Sequence, residues 1–167
     1  MRKRLVFLAI LIGSITLFAC NNTNPNTPTG GDSGTDKGSE EKKVVNIGDK
    51  GPGDGLVFYI DIDTGEAWEV SGDLGIATWE EAKTICKNHR GGGFSDWYLP
   101  NKEELNWVYE NLVISKKIED DKCYWSSYSN AKSTAWFQYF NDGKGVHNFR
   151  DFPGVSVRAV RIFKISQ

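Results

Sequence analysis

The residues able to do chemistry are few and scattered. Only His89 and His147 are histidines, so a multi-histidine metal site is excluded, and any histidine-based triad must use one of these two. Ser126 and Ser127 stand in YWSS between large aromatics, without the glycine frame of a nucleophile elbow. They read as structural strand. GPGDG and RGGG run into a strand and a loop, so neither offers a helix N-terminus to a phosphate, and both read as turns and close backbone passages. Lys132, Lys144, His147 and Arg150 gather around the turn NDGKG. If they share a face with Arg158, charge pairing to an acidic or sulfated glycan follows. The competing reading is a solvated basic edge that discourages strand aggregation. Of the six tryptophans, Trp68, Trp79, Trp125 and Trp136 fall at core spacing, while Trp97 and Trp107 are the candidates for a sugar-stacking surface.

These residues need elements to place them. GLVFYIDIDTGEAWEV is a β-branched and aromatic run, a turn at Asp63–Glu66 and a second short run, which predicts a hairpin. In TWEEAKTICKNH, Thr78 and Glu81 form a capping box, and Trp79, Ala82, Ile85 and Cys86 fall on one side of the helix it opens. SDWYLPNKEEL puts Asn101 after Pro100 and Glu104 three residues on, a second helix start, with Leu105, Val108, Tyr109 and Leu112 at helical spacing. Strands follow at CYWSSYS, AWFQYF, VHNF and VSVRAVRIFKI. Helices segregated from a mostly antiparallel sheet describe an α+β domain.

Ahead of the domain, residues 1–19 have a basic start and an apolar stretch shorter than the roughly 20 residues of a spanning helix, so they read as a secretion signal. Leu17-Phe18-Ala19-Cys20 resembles the bacterial lipobox, which implies lipidation of Cys20 and anchoring by acyl chains worth about 0.8 kcal/mol per buried CH₂. Asn21 is not the Asp that commonly retains lipoproteins at an inner membrane, so the outer membrane of a bacterial envelope is the expected location. Residues 20–43 hold no aromatic or large aliphatic side chain and cannot offset their ordering entropy, which makes them a flexible tether. Residues 44–167 are long enough for one domain with a core. The chain has 20 basic and 22 acidic residues, a balance that argues against nucleic acid as a partner. Within the domain, acids crowd the first part and bases the last, which permits a basic face. In an exported chain the even pair Cys86 and Cys123 favours a disulfide, worth roughly 4 kcal/mol, over two buried thiols or a reactive pair.

WEEAKTIC, DWYLPNKEEL, YWSS, AWFQYFNDG and VRAVR occur in the order seen in the bacterial Lcl C-terminal domain family, which this sequence resembles from Gly48 to Phe163. The resemblance implies a C-type-lectin-like fold with paired terminal strands and two flanking helices. It also implies a surface protein without enzymatic activity or cofactor, with a polysaccharide or surface-protein ligand, self-association being known among relatives. Calcium-dependent lectins of that fold use a Glu-Pro-Asn or Gln-Pro-Asp loop and a Trp-Asn-Asp motif, whose oxygens suit a hard cation. Here Leu99-Pro100-Asn101 lacks the first ligand and begins a helix. Phe140-Asn141-Asp142 resembles the second motif and is also a good tight turn. Such lectins pair the first-helix Cys with one near the last strand; VRAVRIF has none, so Cys86 would bridge to Cys123. The same fold houses the formylglycine-generating enzymes, but Cys86 on an apolar helix face suits an inert thiol.

Overall fold

The structure is a computed structural model that describes residues 44–119, 121–130 and 132–165. The signal at 1–19, Cys20 and the tether at 20–43 therefore lie outside the described residues. No helix of the described residues is long and apolar enough to cross a membrane.

The expected hairpin forms from β1 (Leu56–Asp61) and β2 (Glu66–Val70). Its turn is closed by the Asp61 carboxylate, which accepts from the amides of Asp63 and Thr64, and by Gly65 at φ +67°, where a side chain would be strained. Helix α1 (Trp79–Asn88) opens with the predicted capping box and buries Trp79, Ala82 and Cys86. Helix α2 (Lys102–Val108) opens with a second box at Asn101, then widens to a single π turn over Tyr109–Val113. β3 (Cys123–Trp125), β4 (Thr134–Tyr139), β5 (Gly145–Phe149) and β6 (Val160–Lys164) complete the domain.

The strands make two antiparallel three-stranded sheets, β1-β2-β6 and β3-β4-β5. The α+β class with helices flanking antiparallel sheet is as expected. One detail differs. The last strand shares a sheet with the first but pairs with β2, because the β1 hairpin folds back and leaves β2 as the strand beside β6. The long run VSVRAVRIFKI also splits. Its first half is extended but outside both sheets, and it stitches them together: Ser156 exchanges backbone bonds with Cys123 and Trp125, while Val155, Val157 and Ala159 take amides from 71–77.

Alternation in β3 and β4 gives the second sheet two buried faces. Trp125, Ala135 and Phe137 face a core completed by α1 and the 155–159 segment. Tyr124 and Trp136, with Phe140 just past the end of β4, face the other, with Phe58, Val70, Leu105, Val108, Leu112 and Val160.

The predicted disulfide is not formed; Cys86 and Cys123 are free, buried thiols. The reason lies in the backbone they face. The Cys86 thiol donates to the Arg158 carbonyl and the Cys123 thiol to that of Gly154, each at 3.7 Å. Those carbonyls are four residues apart on an extended segment, about 13 Å at ~3.3 Å per residue, so the sulfurs cannot approach the ~2 Å of a bond.

The SDWYLPNKEEL stretch is a joint in which almost every residue has a structural partner. Asp96 pairs with Arg161, and Trp97 is 3% exposed with its indole N–H on the Gly91 carbonyl, so Trp97 is core and not a sugar platform. The Tyr98 hydroxyl donates to Glu104 at 2.7 Å, and the other oxygen of Glu104 accepts the Asn101 amide. Leu99 is core, and the Pro100 carbonyl accepts from Ser127 at 2.7 Å. Trp107 stacks on Tyr59 with centroids 4.1 Å apart, half-buried against the hairpin.

Candidate functional site

The sites predicted around the turn NDGKG are separated by the length of the β4–β5 hairpin. Asn141, Asp142 and Lys144 sit at the β4–β5 turn; Lys132 and Arg150 sit at the far end, where the Arg150 amide bonds to Ser133. The five residues of β5 lie between Lys144 and Arg150 and hold them about 20 Å apart. The expected basic cluster is thus divided. Arg150 is also committed: its guanidinium pairs with Glu80 at 3.1 Å, donates to Ser129 Oγ at 2.7 Å and lies 4.3 Å from the Trp79 ring. Arg158 does not join the face, being 8% exposed, bonded to the Ser71 carbonyl and set over Tyr124.

The charge asymmetry of the sequence has the same explanation. Lys122 pairs with Asp73, Arg150 with Glu80, Arg161 with Glu69 and Lys164 with Glu66. Bases of the last part meet acids of the first, so the asymmetry joins the two ends of the fold and does not make a basic face.

Asp142 is spent on its own turn, its carboxylate accepting the Lys144 amide at 2.9 Å. Asn141 lines a cleft of about 280 Å³ with Ile76, Lys122, Tyr139 and Ser156. Asp73, beside this cleft, is pushed up by burial, but the Lys122 ammonium, the Gly75 amide and the Tyr124 hydroxyl outweigh that and leave it below the usual carboxylate range. Among the described residues no three of His, Cys, Asp and Glu gather to hold a metal.

What the structure does bring together is an aromatic face around His147. His147 opposes Trp136, and Phe149 opposes Thr134, so Trp136, His147 and Phe149 share one side of the second sheet by the two-residue period of strands. Tyr128 joins them from the loop after β3, its ring centroid 5.7 Å from that of His147. Phe149 is 62% exposed and Tyr128 is 44% exposed, while Trp136 is nearly covered. Trp136 lies flat against Gly145, where any Cβ would run into the indole. Lys102, the first residue of α2, extends its ammonium over the Tyr128 ring at 4.8 Å and the Trp136 ring at 5.0 Å.

The loop carrying Tyr128 is tied down. Ser126 Oγ donates to the Trp136 carbonyl and accepts the Tyr128 amide; Ser129 Oγ donates to the Thr134 carbonyl; the Ser127 amide reaches Pro100. A loop backbone held this way loses little freedom when a ligand lands on Tyr128, which preserves binding free energy. Exposed aromatic faces accept the apolar face of a pyranose ring, and the nearby ammonium supplies charge.

Sequence reasoning found His147 but missed Tyr128, Phe149 and Lys102. The two-residue step from His147 to Phe149 was legible. Tyr128 was not, because YWSSYS reads as one strand, whereas β3 ends at Trp125. Lys102 was not, because it starts a helix that spacing along the chain does not connect to β4 and β5.

The reactive groups are quiet. Burial pushes the Cys86 thiol up to about 12, and burial also raises Cys123.

In sequence, the model of the Lcl C-terminal domain matches residues 58–161. No curated protein matches the chain. Among solved structures, the crystal structure of botrocetin is similar at a TM-score of 0.35 and 13% identity, over 60% of this chain and 91% of that one.

Proposed function

Because the chain belongs to the Lcl C-terminal domain family, we propose that its folded part is a non-enzymatic, lectin-like binding or adhesion module. It takes an acidic or sulfated glycan on the face formed by Tyr128, His147 and Phe149. The observation that carries this reading is two large aromatic side chains left exposed on a braced surface beside a lysine, in a domain whose other aromatics are mostly covered. Exposed rings grouped on one face mark interaction sites, unlike apolar side chains exposed singly. A calcium role for Asn141 and Asp142 finds no support, since the Asp142 carboxylate serves its own turn. Lys132 and Lys144, exposed at the two ends of the hairpin, extend the surface over which a long polyanion could lie.

Lipidation at Cys20 would hold this module on the bacterial envelope, most simply at the outer membrane, with the segment to residue 43 as tether. The rival reading is a structural subunit of an envelope complex that recognises a protein.

The test is binding of the protein to immobilised heparin, dextran sulfate and dextran, with calcium or with a chelator, at low and physiological salt. Salt-sensitive, chelator-insensitive binding to the sulfated chains, lost in Tyr128→Ala and Phe149→Ala, is expected. Binding abolished by the chelator would bring Asn141 and Asp142 back. Binding to none of the three would favour the protein partner.

A further inference from the structure

We propose that Lys102 sets the specificity of the aromatic face, selecting a sugar that carries a carboxylate or a sulfate ester over a neutral one. The proposal rests on the reading of that face as the ligand site and names the group that discriminates there.

Lys102 breaks a local rule. It stands at the first position of α2, where the helix dipole disfavours a cation and where acidic residues are preferred. No ion pair between Lys102 and a carboxylate forms among the described residues. Glu103 is its immediate neighbour, and adjacent helical residues do not face each other. Glu104 is occupied by the Tyr98 hydroxyl and the Asn101 amide. Other cations of the described residues have an oxygen partner: Arg161 has Glu69 and Asp96, Arg150 has Glu80, Lys122 has Asp73, and the buried Arg158 donates to the Ser71 carbonyl. Lys102 instead rests on two ring faces, 4.8 and 5.0 Å from their centroids. Ring quadrupoles orient an ammonium without neutralising it. The result is a half-buried, aimed and uncompensated positive charge at the margin of the exposed rings. Local rules broken without a compensating structural gain concentrate at functional sites.

A ligand with its ring against Tyr128 or Phe149 and an anionic substituent toward Lys102 would meet both requirements at once. A neutral ring would find only the stacking surface.

The experiment compares wild type, Lys102→Gln, Lys102→Arg, Tyr128→Ala and Phe149→Ala on four probes: dextran, dextran sulfate, polygalacturonate and heparin. Lys87→Gln, at the exposed end of α1, controls for loss of one remote charge. Wild type is expected to bind at least one anionic probe more tightly than dextran. Lys102→Gln should lose about tenfold on that probe, and its log affinity should fall less steeply with log salt, by about one unit of slope. Lys87→Gln should leave both unchanged, and Lys102→Arg, which keeps the charge, should restore most of what Lys102→Gln loses. Dextran sulfate and polygalacturonate separate a preference for sulfate from one for carboxylate. If Tyr128→Ala and Phe149→Ala lose binding while Lys102→Gln does not, the role of Lys102 is overturned and the face stands. If the aromatic variants bind every probe as wild type does, the face itself falls and Lys102 with it.

Discussion

Among single residues, the buried pair of Glu69 and Arg161 holds the most. They face each other across β2 and β6 and are 0% and 4% exposed. The carboxylate accepts the Gly53 and Gly55 amides at 2.8 and 3.0 Å and the guanidinium at 2.6 Å; Arg161 continues to Asp96 and stacks on Phe94 at 3.8 Å. Glu69→Ala leaves a buried guanidinium half-paired and two amides without an acceptor, and should cost about 3–5 kcal/mol in urea unfolding. Lys50→Ala, which breaks an exposed pair with Asp54, should cost under ~1 kcal/mol. A result with the two costs equal would remove the pair from its central place. The same cluster has an acid limb. Hydrogen bonding to Arg161 is the largest influence on Asp96, and it holds that carboxyl below its ordinary 3.8. A carboxyl depressed by folding adds stability above its unfolded value, and that stability is lost as pH falls through the folded value. Urea midpoints taken from pH 7 to pH 2 should therefore fall below about pH 4, and less steeply in Asp96→Asn.

At the scale of elements, the helix starts matter most. Asn101 caps α2 through the amides of Glu103 and Glu104, while Glu104 returns to the Asn101 amide and holds Tyr98. Asn101→Ala should cost about 1–2 kcal/mol, read as a lowered Tm, with Asn101→Asp restoring most of it. Both helix starts were legible because a cap is a local pattern: side chain and amide lie within three residues. The hairpin turns were legible for the same reason. What could not be read depends on partners distant in the chain. Val155 to Ala159 has the composition of a strand, yet its neighbours are residues 71–77 and β3, which leave it outside both sheets. Cys86 and Cys123 looked like partners by count and compartment; only the segment between Gly154 and Arg158 shows them held apart. For the binding face, His147 could be named from composition. Tyr128 and Lys102 come to it from a loop and a helix that sequence spacing does not connect.

For the whole molecule, the second sheet lies between two cores. Tyr124 and Trp125 are consecutive in the chain and serve opposite sides. Neither core can be lost without stripping one face of β3 and β4, so the domain should unfold in one cooperative step. Cys86, fully covered in one core, reports on it directly. Its modification by a thiol reagent in rising urea should follow the same midpoint as tryptophan fluorescence, and modification well before that midpoint would show the cores to be separable. The glycine loop of residues 51–55 meets the rest of the domain where such loops are usually loosest. Here a Cβ at Gly53 would meet Trp97, one at Gly91 would meet the Gly53 carbonyl, and the Gly53 and Gly55 amides end on Glu69. Opening that loop means uncovering a buried carboxylate, which local fraying cannot do. In deuterated solvent these two amides should keep their protons until the whole domain opens, among the slowest to exchange.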